Sequence, residues 1–211
     1  EELITGMMEG MKFMNHIETG PKAVVAAING NCLGGGLEIA MFCHYRTAVK
    51  GINLGQPEVQ IGLIPGAGGT QRLPRLIGLR YALEMITIGK PIKAEVAHQR
   101  GLVDEVVEPA KLVDAAVTAA GRFISGELNV KARATRNRHY WIPSAAEKRA
   151  MMDFTKAMTE AQAKGYIAPF KAVEAIDKGL SYDIDTDLQR EAELFADCAI
   201  SDVAKNLIGI F

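Results

Sequence analysis

Two glutamates twenty positions apart, each set beside a glycine-rich turn, are the residues of this chain best suited to chemistry. Glu38 closes Leu33-Gly34-Gly35-Gly36-Leu37-Glu38, and Glu58 closes Gly55-Gln56-Pro57-Glu58, which runs on to Ile64-Pro65-Gly66-Ala67-Gly68-Gly69-Thr70. Glycine lets the main chain approach a ligand closely and present N–H groups to a developing oxyanion. A pair of carboxylates can divide the work of giving and taking a proton. The combination points to acid/base chemistry at a bare stretch of backbone.

The elements that must position these residues follow from the flanking pattern. Residues 23–28 are a short continuous apolar run closed by Asn29-Gly30-Asn31, which predicts a buried strand leaving into a turn. Residues 37–43 are apolar almost all round and predict a buried helix whose N-terminus sits at Gly34-Gly35-Gly36. Free N–H groups and the positive end of the helix dipole would converge there, a ready site for an anion or oxyanion. A phosphate fits less well. The glycines match neither GxGxxG nor GxxxxGK[ST], the second turn at Gly66-Ala67-Gly68-Gly69-Thr70 lacks a lysine, and an early-turn glutamate repels phosphate. Three glycines alone can equally serve close helix-to-sheet packing. Glu38 argues for function, because a carboxylate in an otherwise apolar helix needs a partner or a purpose. Glu58, following Pro57 in a polar loop, reads alone as a solvated charge or a cap. The apolar segment and second glycine turn after it place it near a shaped, partly buried backbone surface.

Farther along, residues 47–49 and 52–54 read as brief extended segments, and 68–77 as a helix ending at Gly78. Residues 79–88 form a clean amphipathic pattern ended by Gly89, and 94–100 a short helix ended by Gly101. Residues 102–107 predict an edge strand before Pro109 starts a helix through about residue 123. After Ser125 the period becomes helical, notably over 145–164 and 187–199. The reading is an α/β core over residues 1–124 and a helical C-terminal segment over 125–211.

Composition limits the remaining possibilities. A chain of 211 residues, 48% hydrophobic and 23% charged, suits one large core or a core with an appendage. With 24 basic and 25 acidic residues the formal charge is −1, which gives no global field for nucleic acid or an anionic membrane. No apolar run approaches the roughly 20 residues of a membrane span, and the start lacks the pattern of a signal peptide, so the expected setting is cytoplasmic. Cys32, Cys43 and Cys198 lack CxxC spacing and read as thiols, two of them buried, with no metal site expected. His44 and His98 have no acidic or cysteine partner at metal spacing and read as structural or surface residues. Arg133, Arg136, Arg138 and His139 form a basic cluster, read as a solvated face or as a contact for phosphate groups. Tyr140 and Trp141 read as packing residues, and Met7, Met8, Met11 and Met14 as a helical core or pocket stripe. Both ends look cut: an apolar helical pattern opens at Leu3, and the chain stops on an apolar run at Phe211.

The two glycine motifs together, Asn29-Gly30-Asn31-Cys32-Leu33-Gly34-Gly35-Gly36-Leu37-Glu38 with Gly55-Gln56-Pro57-Glu58-Val59 and Gly62-Leu63-Ile64-Pro65-Gly66-Ala67-Gly68-Gly69-Thr70-Gln71-Arg72-Leu73, strongly resemble the crotonase superfamily, and within it the enoyl-CoA hydratases. The resemblance continues through residues 94–107. The tail from Glu191-Ala192-Glu193 is similar to the hydratase half of multifunctional β-oxidation proteins, where a 3-hydroxyacyl-CoA dehydrogenase module follows. What the resemblance implies is a ββα spiral core with its first strands missing, and syn hydration of a trans-2-enoyl-CoA to a 3-hydroxyacyl-CoA in fatty-acid β-oxidation. It implies Glu38 and Glu58 as catalytic carboxylates holding a water, Gly35 N–H as an oxyanion-hole donor, and Gly66 as a backbone contact to the water. A second oxyanion donor would come from a turn ahead of these residues, so the isolated stretch is expected to be poorly active.

Further expectations follow from the resemblance. No metal or redox cofactor is implied for hydration; coenzyme A belongs to the substrate, and NAD enters only with a downstream dehydrogenase module. The partner is an acyl-CoA, with a homo-oligomer or a place in a multifunctional chain expected. The rival activity is Δ3,Δ2-enoyl-CoA isomerisation, where one glutamate shuttles a proton and the second position is often apolar. A reading of another class is a non-catalytic assembly module derived from the same fold.

Overall fold

Two small sheets share the strands alternately, and each pass between them ends in a helix. The computed structural model describes residues 1–138, 143–163, 165–181 and 183–210. Helix α1 (Glu2–Thr19) leads to β1 (Val25–Ile28), β2 (Cys32–Leu33) and α2 (Gly35–Phe42). The same strand, strand, helix order returns as β3 (Tyr45–Val49), β4 (Asn53–Gly55), a 3-10 turn (Glu58–Ile61) and α3 (Gly69–Ile77). Then come α4 (Leu79–Ile88), β5 (Ile92–Lys93), α5 (Ala94–Gln99), β6 (Glu105–Val107) and α6 (Leu112–Ile124). One sheet runs β1-β3-β6, all parallel, and the other β2-β4-β5, with β2 parallel and β5 antiparallel to β4. This alternation is the spiral expected of an α/β chain of this type.

Local chemistry accounts for the placement. Strand β3 is buried along its whole length because α6 covers β1 and β3, the usual condition of parallel strands. Its one charge, Arg46, is satisfied inside the sheet by Leu102 O (2.7 Å), Cys43 O (2.6 Å) and Asp104. Asp104 also accepts from the Arg46 backbone N–H (2.8 Å), and this turn delays the strand predicted from 102 until Glu105. Leu37, Met41, Leu54, Ile64, Leu73 and Ile86 are fully buried at the centre of the core.

The C-terminal region is helical, as expected: α7 (Val130–Arg133), α8 (Ala145–Gln162), α9 (Ala168–Lys178), α10 (Ile184–Ala199) and α11 (Asp202–Ile210). Helix α9 packs on α3 and α4, while α10 packs on α1, α3 and α9. Met11 joins Ile184, Leu188 and Ala192 in a small cluster, with Met7 and Met8 against it, so the methionine stripe of α1 is packing surface. Cys43 and Cys198 are buried, and Cys32 is half-buried.

The basic cluster is not a solvated face. Arg133 pairs with Asp104 and donates to His44 O (3.1 Å); Arg136 pairs with Asp185 (2.6 Å), and its backbone N–H donates to Glu18 (2.7 Å); Arg138 is buried. These side chains tie α7 and the residues after it to α1, the turn before β6 and α10, because guanidinium groups close to a core are stable there only when paired. His139, Tyr140 and Trp141 lie outside the described residues, as does Lys164, at which the predicted 145–164 helix was to end.

Helix α3 carries an unusual load: every residue of it is buried, including Arg72 and Arg75. Arg72 donates through Nη2 to Glu18 (2.8 Å) and to Asn15 (2.9 Å), and its guanidinium stacks 3.7 Å from the centroid of the Phe42 ring. Arg75 meets Asp187 at 3.4 Å. Removing one partner of such a pair strands a charge away from water. Glu18→Ala is therefore expected to lower unfolding stability by about 3–5 kcal/mol, read by urea denaturation at neutral pH; a change within about 0.5 kcal/mol, the range of an ordinary surface substitution, would contradict this account of α3.

Candidate active site

A register of two residues brings the glycine turns together. In the parallel β2–β4 ladder Leu33 stands opposite Gly55, and Gly34 N–H donates to Gly55 O at 2.9 Å. Each strand then gives way to a helical turn, with Glu38 four residues past Gly34 and Glu58 three residues past Gly55. The carboxyl ends of parallel strands are where open α/β sheets bind ligands.

Gly34 holds φ +55, a left-handed conformation that favours glycine. A Cβ built there would stand 3.2 Å from Glu58 Oε1, so the turn that opens α2 lies directly against that carboxylate. The amides of Gly35 and Gly36 make no protein hydrogen bond among the described residues, and both glycines are exposed. They are the free N–H groups at the start of a helix that the sequence predicts, available to a ligand oxygen.

Glu38 is buried, and its Oε1 accepts from Ala67 N–H (2.7 Å) and Gly69 N–H (2.8 Å). It thus reaches the second glycine turn, where Gly69 is the first residue of α3. The Gln56 amide and Glu38 Oε1 both stand 2.8 Å from the point a Gly69 Cβ would occupy. The same Gln56 amide, oriented by its hydrogen-bond partners, donates to Glu58 Oε1 at 2.7 Å and Oε2 at 3.2 Å. Gln56 thus contacts Glu58 and lies beside the Gly69 turn that Glu38 holds. Glu58 itself lies on the 3-10 turn rather than in a polar loop, and is only partly exposed. Gly66 sits next to Ala67, and its N–H has no protein partner among the described residues. The four residues singled out from the sequence are thus drawn around one small region: Glu38 with Ala67 and Gly69, Glu58 against Gly34, and Gly35 and Gly66 next in chain to these contacts.

The sequence reading missed a third carboxylate. Glu191 of α10 is fully buried and accepts from Gly68 N–H (2.6 Å), Thr70 N–H (2.9 Å) and the Thr70 hydroxyl. Its signal was present in the sequence: it falls on the same helical stripe as Leu188, Ala192 and Phe195, a position for an apolar residue. Gln56 was also missed, because an amide in a polar stretch carries no such signal.

The electrostatics separate the two glutamates. Glu58 is pushed up to about 8, first by burial and then by the charge of Glu38, with Glu191 adding to it. Glu38 is raised by burial too, but the Ala67 and Gly69 amides and the Arg72 cation act against the rise. Glu191 is likewise pushed up to about 8 by burial and by Glu38. Of the two, Glu58 is the group that keeps its proton near neutrality, whereas Glu38, though also raised, alone has amide donors and a cation that oppose the rise. His44 is buried between Glu18 O and Val24 N–H, away from these groups, and His98 contacts Val103 O. Among the described residues no group of three or more His, Cys, Asp or Glu is placed to hold a metal ion.

Residues 7–184 match the family model described as Enoyl-CoA hydratase/isomerase. The chain is 41% identical over 204 residues to the glyoxysomal fatty acid beta-oxidation multifunctional protein MFP-a of Brassica napus, covering 92% of this chain and 27% of that protein. It is 40% identical over 211 residues to the fatty acid oxidation complex subunit alpha of Pseudomonas putida (strain GB-1), covering 100% of this chain and 30% of that protein. Among solved structures, an enoyl-CoA hydratase from Bacillus anthracis is 32% identical with a TM-score of 0.54, covering 98% of this chain and 64% of that one. The chain thus spans less than a third of the length of these curated relatives.

The charge coupling gives a direct test. In carboxyl-carbon NMR titrations, Glu58 is expected to titrate near 8 and to move lower in Glu38→Gln, because a neighbouring negative charge has gone. Titration of Glu58 in the ordinary carboxylate range, unaffected by Glu38→Gln, would contradict the geometry.

Proposed function

The chain belongs to the enoyl-CoA hydratase/isomerase family, and on that premise we propose that it is a hydratase module of a multifunctional fatty-acid β-oxidation protein, adding water across the double bond of a trans-2-enoyl-CoA. The observation that carries this reading is the pair Glu38 and Glu58, both held at the joined glycine turns, with the charge of Glu38 raising the Glu58 carboxyl. In the proposed reaction Glu38 takes a proton from a water held beside the Gly66 N–H as the water oxygen bonds to the β-carbon. The electrons of the double bond move onto the thioester oxygen, which the Gly35 N–H stabilises as an enolate; losing one such donor costs about 3–4 kcal/mol. Glu58 then gives its proton to the α-carbon. The proton balance closes when Glu38 returns its proton and Glu58 regains one.

Hydration is redox-neutral, so NAD would be used only by a dehydrogenase module elsewhere in a longer protein. Coenzyme A is part of the substrate. Two carboxylates favour hydration over isomerisation, which needs a single proton shuttle, and their buried, mutually perturbed state is costly for a module that only assembles. No helix among the described residues is long and apolar enough to cross a membrane, and we place the reaction in an aqueous compartment, the cytoplasm by the sequence reading; the Brassica relative is glyoxysomal by name.

In the full-length protein, Glu58→Gln is expected to slow crotonyl-CoA hydration by about 10²–10⁴-fold, followed as loss of the enoyl absorbance. An unchanged rate would remove Glu58 from the chemistry.

A further inference from the structure

The loop that meets Glu38 is held from its other side by a helix far along the chain. Successive amides of this loop alternate in their acceptors: Ala67 and Gly69 donate to Glu38, whereas Gly68 and Thr70 donate to Glu191. These include the first N–H groups of α3, which no side chain of its own segment caps. Helix α3 is thus capped by two remote glutamates, one from α2 and one from α10, each at the end where its dipole favours negative charge. The grip has a second point. One turn beyond Glu191, Phe195 lies so close over Gly66 that a Cβ there would stand 2.6 Å from its ring, with Met7 of α1 at 3.0 Å on the same glycine.

We propose that Glu191 is a positioning residue for hydration: by fixing the Gly68 and Thr70 amides it aims the Gly66 N–H and the two amides on Glu38, and so sets where the attacking water stands. The proposal rests on the hydratase reading above. Glu191 faces Glu38 from α2 and Glu58 from the 3-10 turn, yet none of its contacts reaches the Gly35 amide, where the thioester oxygen is placed. Water attack and enolate formation should therefore respond differently when Glu191 is changed. Glu58 and Gly35 suffice to exchange an α-proton of a saturated acyl-CoA: the carboxylate takes the proton, the enolate forms at Gly35, and a solvent deuteron returns to the same carbon.

The experiment compares both reactions in the full-length protein at pH 8. In Glu191→Ala, crotonyl-CoA hydration is expected to fall by about 10²-fold, the typical cost of a misplacement near 1 Å, with KM changed less than about three-fold. Deuterium uptake at the α-carbon of butyryl-CoA in D2O should fall less than about three-fold. Glu191→Gln, which keeps one acceptor oxygen for the loop, should lie between parent and Ala in hydration. Equal losses in both reactions would reduce Glu191 to a general brace of the fold, and no loss in either would remove it altogether; both overturn the proposal. Amide hydrogen exchange over residues 66–70 reads the contact without activity: exchange should speed up in Glu191→Ala, and unchanged protection would also overturn it. Absence of hydration in the unaltered protein would instead reject the hydratase reading itself.

Discussion

The start of helix α3 is the point on which the other features depend. Its first amides have no partner within their own helix, as at any helix N-terminus, and in this molecule two buried carboxylates take them from opposite sides. A buried carboxylate needs such donors to exist at all, and a glycine-rich turn needs such acceptors to keep one shape. Each condition answers the other. The surrounding structure supplies the walls: α2 brings Glu38, α10 brings Glu191, and the buried Arg72 of α3 favours the charged form of Glu38.

From this arrangement follows the difference between two residues of the same type. Glu38 has two amides and a cation on its side; Glu58 has a partner amide from Gln56 but a like charge for a neighbour. Burial raises both; the amides and the cation beside Glu38 oppose its rise, whereas the like charge adds to that of Glu58. The arrangement is costly in stability, since three carboxylates share a small volume. Its cost is offset by the large core of Leu37, Met41, Leu73 and Ile86.

Much of the site was legible in the sequence because its signals are local. Glu38 in an apolar helix, the glycines ahead of it, and Gly66-Ala67-Gly68-Gly69 before another helix state their geometry within a few residues. The helix ends at Gly78 and Gly89 were equally clear, since both adopt positive φ. What could not be read was pairing. Strands β2 and β5 are two residues long, too short for a periodic signal, yet β2 sets the register that joins the glutamates. Glu191 lies 123 positions from the amide it accepts, and only its place on an apolar stripe hints at burial. The basic cluster at Arg133 and Arg136 was misread for the related reason that its partners, Asp104, Glu18 and Asp185, are distant in sequence.

The most direct measurement of the central claim is a crystal structure of the full-length protein with bound 3-hydroxybutyryl-CoA. The account requires the product hydroxyl to lie within hydrogen-bond distance, about 2.5–3.2 Å, of both Glu38 and Glu58, with the thioester oxygen on the Gly35 N–H. A hydroxyl touching neither carboxylate, or Glu58 turned out to solvent away from Gln56, would contradict it.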